Sequence, residues 1–159
     1  MELNSLNPYN ICSKGEWYYE FDTKRGIKYH LYFIEASSYD FKVDEVYIFN
    51  IERDGDEPQP YDKRISQTII SLLDKFFENR KRAIVIVCDS SDGKEKKRNN
   101  LFKRWFDIYH RVSLLKIDEH SETEDYNIYA SLFILKDNPN RDEIITKFKN
   151  LADNNFIPD

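Results

Sequence analysis

Residues 83–88, Ala-Ile-Val-Ile-Val-Cys, are all apolar and mostly β-branched, and no other feature restricts the fold as much. A strand that alternates apolar and polar residues needs cover on one face, whereas an uninterrupted apolar run needs it on both. Ile84, Ile86 and Cys88 point to one side and Ala83, Val85 and Val87 to the other. The run therefore predicts an interior strand over 83–88, with helices on each side or deep in a sheet.

Upstream of that run the pattern has period two. Trp17, Tyr19 and Phe21 alternate with polar residues, Thr23-Lys24-Arg25-Gly26 reads as a turn, and Ile27, Tyr29, Leu31 and Phe33 resume the alternation. A break at Ser37–Asp40 and a third run at Val43–Ile51 complete an antiparallel meander over 17–23, 28–36 and 43–51, after a polar lead-in at 1–15. Residues 52–62, ERDGDEPQPYD, are a loop by composition. From Ile65 the spacing changes to three and four, through Ile69, Leu72, Leu73, Phe76 and Phe77, which predicts a helix over 64–79 with Asp62 as its N-cap. The cations Arg80, Lys81 and Arg82 suit the negative end of its dipole.

Beyond the 83–88 strand, Leu101, Phe102, Trp105, Ile108 and Tyr109 form a helical face over 95–109. Strands follow at 112–118 and 126–135, joined by the acidic loop His120–Asp125. A last helix at 141–152 opens with a capping box of Asn140 and Glu143. The order is βββαβαββα. It predicts a mixed α/β domain over 1–159, about six strands and three helices, not a doubly wound parallel fold, because three strands precede the first helix.

Composition narrows the function classes. Aromatic residues make up 15% of the chain, enough for large rings to fill a core that has few apolar positions. A net charge of −5 argues against indiscriminate binding to nucleic acid or membrane surfaces. Cys12 and Cys88 are far apart, and Cys88 ends the apolar run, so a buried thiol is expected rather than a disulfide framework. The first residues, MELNSLNPYN, lack a basic and then apolar leader pattern, and no run approaches a membrane span. These features predict a cytoplasmic location and no membrane partner.

Familiar catalytic and metal patterns are not met. His30, His110 and His120 lie far from one another and from any cysteine pair, so no metal is expected. Ser90-Ser91 follow a strand and precede a helix, but C-D-S-S-D-G is not a glycine-flanked elbow, and turn and capping roles account for these residues. Asp54, Asp56 and Glu57 do not follow a calcium-loop spacing and read as a solvated loop. One segment breaks a local rule. Residues 94–104 carry six cations, Lys94, Lys96, Lys97, Arg98, Lys103 and Arg104, against the single anion Glu95. They occupy a helix start, where the dipole disfavours positive charge by about 0.3–1 kcal/mol each. Either they pair with Asp89, Asp92, Glu95 and Asp107 on a solvated face, or they form an anion site.

Two resemblances bear on this reading. The stretches Tyr61-Asp-Lys-Arg-Ile-Ser-Gln-Thr-Ile-Ile, Ile86-Val-Cys-Asp and Arg98-Asn-Asn-Leu-Phe-Lys-Arg-Trp-Phe resemble a family of uncharacterised bacterial proteins of this length. The order of elements from Trp17 to Leu135 is similar to the GNAT-type N-acetyltransferases, in which a meander leads to a helix, a strand, a second helix and a final hairpin. That second resemblance implies a GNAT-like mixed sheet, with acetyl-CoA pyrophosphate held in a Q/R-x-x-G-x-G/A turn before the first of those helices. The corresponding residues here, 52–64, have one glycine, the carboxylates Glu52, Asp54, Asp56 and Glu57 ahead of the N-cap Asp62, and two prolines that donate no amide. Carboxylates repel a pyrophosphate, so no cofactor is expected. The function expected is a non-catalytic, GNAT-like interaction module whose basic segment 94–104 engages an anionic partner, an acidic protein surface or nucleic acid. The alternative is an N-acyltransferase with a non-standard cofactor loop.

Overall fold

The structure is a computed structural model that describes residues 6–38, 43–89, 103, 107, 113–122, 124 and 127–153. Its frame is a mixed sheet of seven strands: β1 (Cys12–Gly15), β2 (Tyr18–Asp22), β3 (Lys28–Glu35), β4 (Val46–Arg53), β5 (Ala83–Asp89), β6 (Leu114–Glu122) and β7 (Asn127–Leu135). Two helices, α1 (Lys63–Phe76) and α2 (Arg141–Asp153), accompany it among the described residues. The expected helix at 95–109 lies outside the described residues, apart from Lys103 and Asp107, which are both helical.

Strand order is β1-β2-β3-β4-β5-β7-β6. β1 to β4 form the antiparallel meander, β4 and β5 run parallel, and the β6–β7 hairpin folds back so that β7 pairs with β5. β5 is interior as expected, and Ile84, Ile86 and Cys88 are all buried. Cover on the opposite face ends earlier than the apolar run, since Val87 is 40% exposed. β1 is the extra strand; it lies in the expected lead-in, where all four residues are exposed and no alternation marks them. The third meander strand begins at Val46, after a turn at Asp44-Glu45, and β6 continues to Glu122 through part of the expected acidic loop.

Each face of the sheet carries its own core. On one side Phe21, Leu31, Phe33, Tyr47, Phe49, Ile84, Ile86 and Phe133 pack under Ile69, Leu72 and Phe76 of α1. On the other, Val46, Ala83, Val85, Ala130, Leu132 and Ile134 pack under Ile144 and Phe148 of α2. The alternation Tyr29-Leu31-Phe33 and Tyr47-Phe49 supplies the first core, so the rings cluster on the α1 side, with Phe33 stacked on Phe76 at 4.7 Å.

Helix ends follow local chemistry. Asp62 caps α1, its carboxylate accepting from the Arg64 amide at 2.9 Å. The guanidinium of Arg82 donates to the Phe76 carbonyl at 3.2 Å, satisfying a last-turn acceptor of that helix. At α2 the expected capping box is replaced: Asn138 Oδ1 accepts from the Asn140 amide at 2.8 Å, and Glu143 turns to Lys147 at 3.4 Å. Asn138 is 4% exposed, and from that buried position its amide also reaches the Arg82 carbonyl. Among the described residues no helix is long and apolar enough to cross a membrane.

Three tyrosines give the fold a pH limit. Burial, the largest cause in each case, pushes the phenols of Tyr9, Tyr29 and Tyr47 above the ordinary value of 10.0; at Tyr9 the bond to Asp62 adds to it, and at Tyr47 the charges of Glu45 and Glu35 do. The native state therefore keeps protons that the unfolded chain releases above about pH 10. Their contribution to stability is complete below that pH and is lost as pH rises through it toward the native values. The urea midpoint should fall between pH 9.5 and 11, and fall less in Tyr9→Phe. An unchanged midpoint over that interval would contradict the burial of these hydroxyls.

Candidate functional site

A mixed sheet of this kind offers a crevice at the carboxyl ends of its parallel strands. β4 and β5 pair only at their amino ends, through Val46↔Ala83, Tyr47↔Ile84 and Ile48↔Val85. Beyond that point β4 stays with β3 as far as Arg53, and β5 stays with β7 as far as Asp89. The facing edges of Phe49–Arg53 and Ile86–Asp89 are thus unpaired with each other. The loop to α1 leaves β4 at the same end.

The start of α1, which follows that crevice in the chain, is occupied by the protein's own side chains. Tyr9 is 7% exposed, its ring is stacked on Phe21 at 5.8 Å, and its hydroxyl donates to the Asp62 carboxylate. The guanidinium of Arg64 lies 3.9 Å over the Tyr9 ring and donates to the carbonyls of Asn7 at 2.9 Å and Pro8 at 3.3 Å. The backbone amides of the same segment bond to the helix, Asn7 to Gln67 Oε1 at 3.0 Å and Tyr9 to Thr68 Oγ1 at 2.8 Å. Residues 7–9 therefore lie along the first turns of α1. A helix N-terminus attracts anions through free amides and its dipole, and here Asp62 already supplies the negative charge.

The loop 54–62 uses its carboxylates internally as well. Asp54 bonds to His30 Nε2 at 2.8 Å, while His30 Nδ1 meets the Tyr18 hydroxyl at 2.8 Å and Glu20 at 3.4 Å. Next to it the Tyr32 hydroxyl donates to Glu52 at 2.8 Å. Both ring nitrogens of His30 are engaged, so the imidazole ties β2, β3 and the β4–α1 loop together on the face opposite α1. His30 is thus a half-buried clamp. Its partner Glu20 was legible, because the hairpin turn at 23–26 brings residues 20 and 30 into register. Asp54 was not, because loop placement carries no periodic signal.

Among the described residues no cluster of His, Cys, Asp and Glu is placed to hold a metal ion. Cys12 is exposed and Cys88 is buried, both as thiols outside any disulfide, and the burial of Cys88 is what its place at the end of the apolar run implies. Of the expected anion-binding residues, Lys103 is exposed and helical. Lys94, Lys96, Lys97, Arg98 and Arg104 lie outside the described residues, as do Ser90 and Ser91. The structure thus brings together Tyr9 of the expected lead-in, the N-cap Asp62 and Arg64 at the start of the expected helix. Pro8 and Tyr9, a restricted backbone beside a large ring in a mostly polar stretch, were a local signal of that contact.

No curated protein and no solved structure matches this chain. A family model does match, over residues 61–150, which include α1, β5, the β6–β7 hairpin and most of α2. All three stretches that resembled a family of uncharacterised proteins fall inside that range. The model covers more than half of the sequence, and the chain belongs to DUF6169, a family of unknown function.

Proposed function

We propose that this chain is a GNAT-like domain that works without acetyl-CoA, as a non-catalytic module engaging an anionic partner. The partner is an acidic protein surface or a nucleic-acid backbone, and the contact is made by Lys94, Lys96, Lys97, Arg98, Lys103 and Arg104. The observation that carries the reading is the closure of α1. In the fold that the element order resembles, pyrophosphate is held by backbone amides at this helix start. Here Asp62 caps the helix and residues 7–9 lie across its first turns. The strand order, with a parallel step from β4 to β5 and a hairpin returning to β5, supports the GNAT-like description. The net charge of residues 94–104, opposite in sign to that of the chain, supports the anionic partner.

A labelled single-stranded oligonucleotide and a labelled polyglutamate test this by anisotropy. Affinity should fall steeply with salt; four engaged phosphates imply a slope of log K on log salt near about −3 for a single strand. The double change Lys97→Glu with Arg98→Glu should remove most of the binding. It should leave stability equal or slightly higher, because each reversal improves the dipole match by about 0.3–1 kcal/mol. Absence of binding, together with destabilisation by the reversal, would mean that these cations are paired within the fold.

The parting of β4 and β5 favours a second reading, an N-acyltransferase with a non-standard cofactor loop, because the gap between their carboxyl ends suits an extended ligand. Calorimetry with CoA and acetyl-CoA separates the two. A dissociation constant tighter than about 10 μM, roughly −7 kcal/mol, would establish the second reading in place of the first.

A further inference from the structure

At the amino ends of β4 and β5, opposite the crevice, the α1 side of the sheet holds a cavity of about 490 Å³. That volume is in the usual range for small-molecule sites. Its walls are the rings of Trp17, Tyr19, Phe33 and Phe76, with the hydroxyls of Ser13 and Ser71 at its edge. Among the described residues that line it, the charged groups are two cations, Lys75 and Arg82.

The backbone around it is held in uncommon conformations. Trp17 and Glu45 both have φ of 65°, and they are the two described non-glycine residues with positive φ. Left-handed backbone at bulky residues is strained and gathers where a site needs a fixed geometry. The turn at Trp17 brings its indole within 4.8 Å of Tyr47 and 5.5 Å of Phe33. The guanidinium of Arg82 lies 4.9 Å over the indole and 5.3 Å over Phe76. Its Nε is buried with no hydrogen-bond partner, 3.6 Å from a Glu45 oxygen that is itself buried and without one. The two face each other as an ion pair, so the buried Nε is directed at Glu45 and the remainder of the guanidinium is what lines the cavity. Glu45 offsets part of the Arg82 charge, and Glu16 and Glu35 act on the neighbouring Tyr47, but none of the three lines the cavity. Lys75 is exposed at the rim.

We propose that this cavity binds a small planar aromatic anion, its ring set among Trp17, Tyr19, Phe33 and Phe76 and its acid group on Lys75 and Arg82. Rings offset or edge-on to one another accept a further ring in the same manner, and a charge-assisted bond to an acid group is about twice as strong as a neutral one. None of the residues named here belongs to the 94–104 segment, and the site does not rest on the anionic-partner reading.

The test uses 2-naphthoate and its uncharged analogue 2-naphthalenemethanol with the full chain, followed by calorimetry and by the NMR shift of the Trp17 indole N–H. The acid should bind roughly tenfold more tightly than the alcohol and shift the Trp17 signal. Lys75→Gln, an exposed change, should remove most of that preference and leave alcohol binding as it was. Ser71→Phe, which fills the cavity, should abolish both without altering polyanion binding. Equal affinity for acid and alcohol, a preference that survives Lys75→Gln, or no binding of either probe would overturn the proposal. So would binding that survives Ser71→Phe in a folded variant, and if that variant does not fold, Lys75→Gln decides alone.

Discussion

Phe148→Ala should destabilise the protein by about 3–5 kcal/mol, the range for deleting a fully buried phenylalanine. Phe148 and Ile144 are both 0% exposed, and they are the α2 residues at the centre of the second core. A helix of this length is marginal on its own in water, so packing of these side chains against Leu132, Ile134 and Val85 is what holds it. Urea unfolding of Phe148→Ala beside Tyr61→Ala gives the comparison. Tyr61 is as large a ring but is 81% exposed, and its truncation should change stability by no more than about 0.5 kcal/mol. A cost at Phe148 as small as that at Tyr61 would mean that α2 is not docked on the sheet.

The second large effect concerns the segment that closes the start of α1. Thr68 is 0% exposed; its hydroxyl donates to the Arg64 carbonyl at 2.6 Å and accepts from the Tyr9 amide at 2.8 Å. Thr68→Val keeps the shape and removes both functions, so the Tyr9 amide is left buried and unpaired. That costs about 1–3 kcal/mol, and the loss should be local. Hydrogen exchange at Asn7 and Tyr9 should speed up, while amides near Leu72 keep their protection. The same variant bears on function. If CoA binds Thr68→Val and not the unaltered chain, the docked segment is what excludes it. If neither binds, the carboxylates of the loop and the cap suffice. Unchanged exchange at Tyr9 would show that the segment does not depend on this bond.

Much of the architecture follows from local periodicity, because burying one face of a strand or helix is a local demand that neighbouring residues meet together. The alternation at Tyr29-Leu31-Phe33 and Tyr47-Phe49 set which faces look toward α1, the three-and-four spacing from Ile65 set the buried stripe of α1, and Asp62 set its first residue. The unbroken run at 83–88 demanded an interior strand, which β5 is. The largely apolar composition of Ile128–Leu135 also suits the inner place that β7 takes beside β5, although which strand of the hairpin takes it was set by the tertiary structure.

What only the tertiary structure decided lies in contacts between segments far apart in the chain. β1 has no buried residue and therefore no periodic signal; it exists because β2 offers an unpaired edge. Asp54 reaches His30, the Asn7–Tyr9 segment reaches Gln67 and Thr68, and Arg82 reaches Trp17 only after the sheet has set their distances. Arg82 shows the difference best. By sequence it is a cation at the end of a helix, and it does bond to the Phe76 carbonyl there. That it also lies over two rings in the wall of a cavity depends on strand register and on the left-handed turn at Trp17, and neither is encoded in the spacing of residues around position 82. Periodicity reports the burial of a face; which distant side chain meets it is settled by packing, where shape and unpaired polar groups select one arrangement.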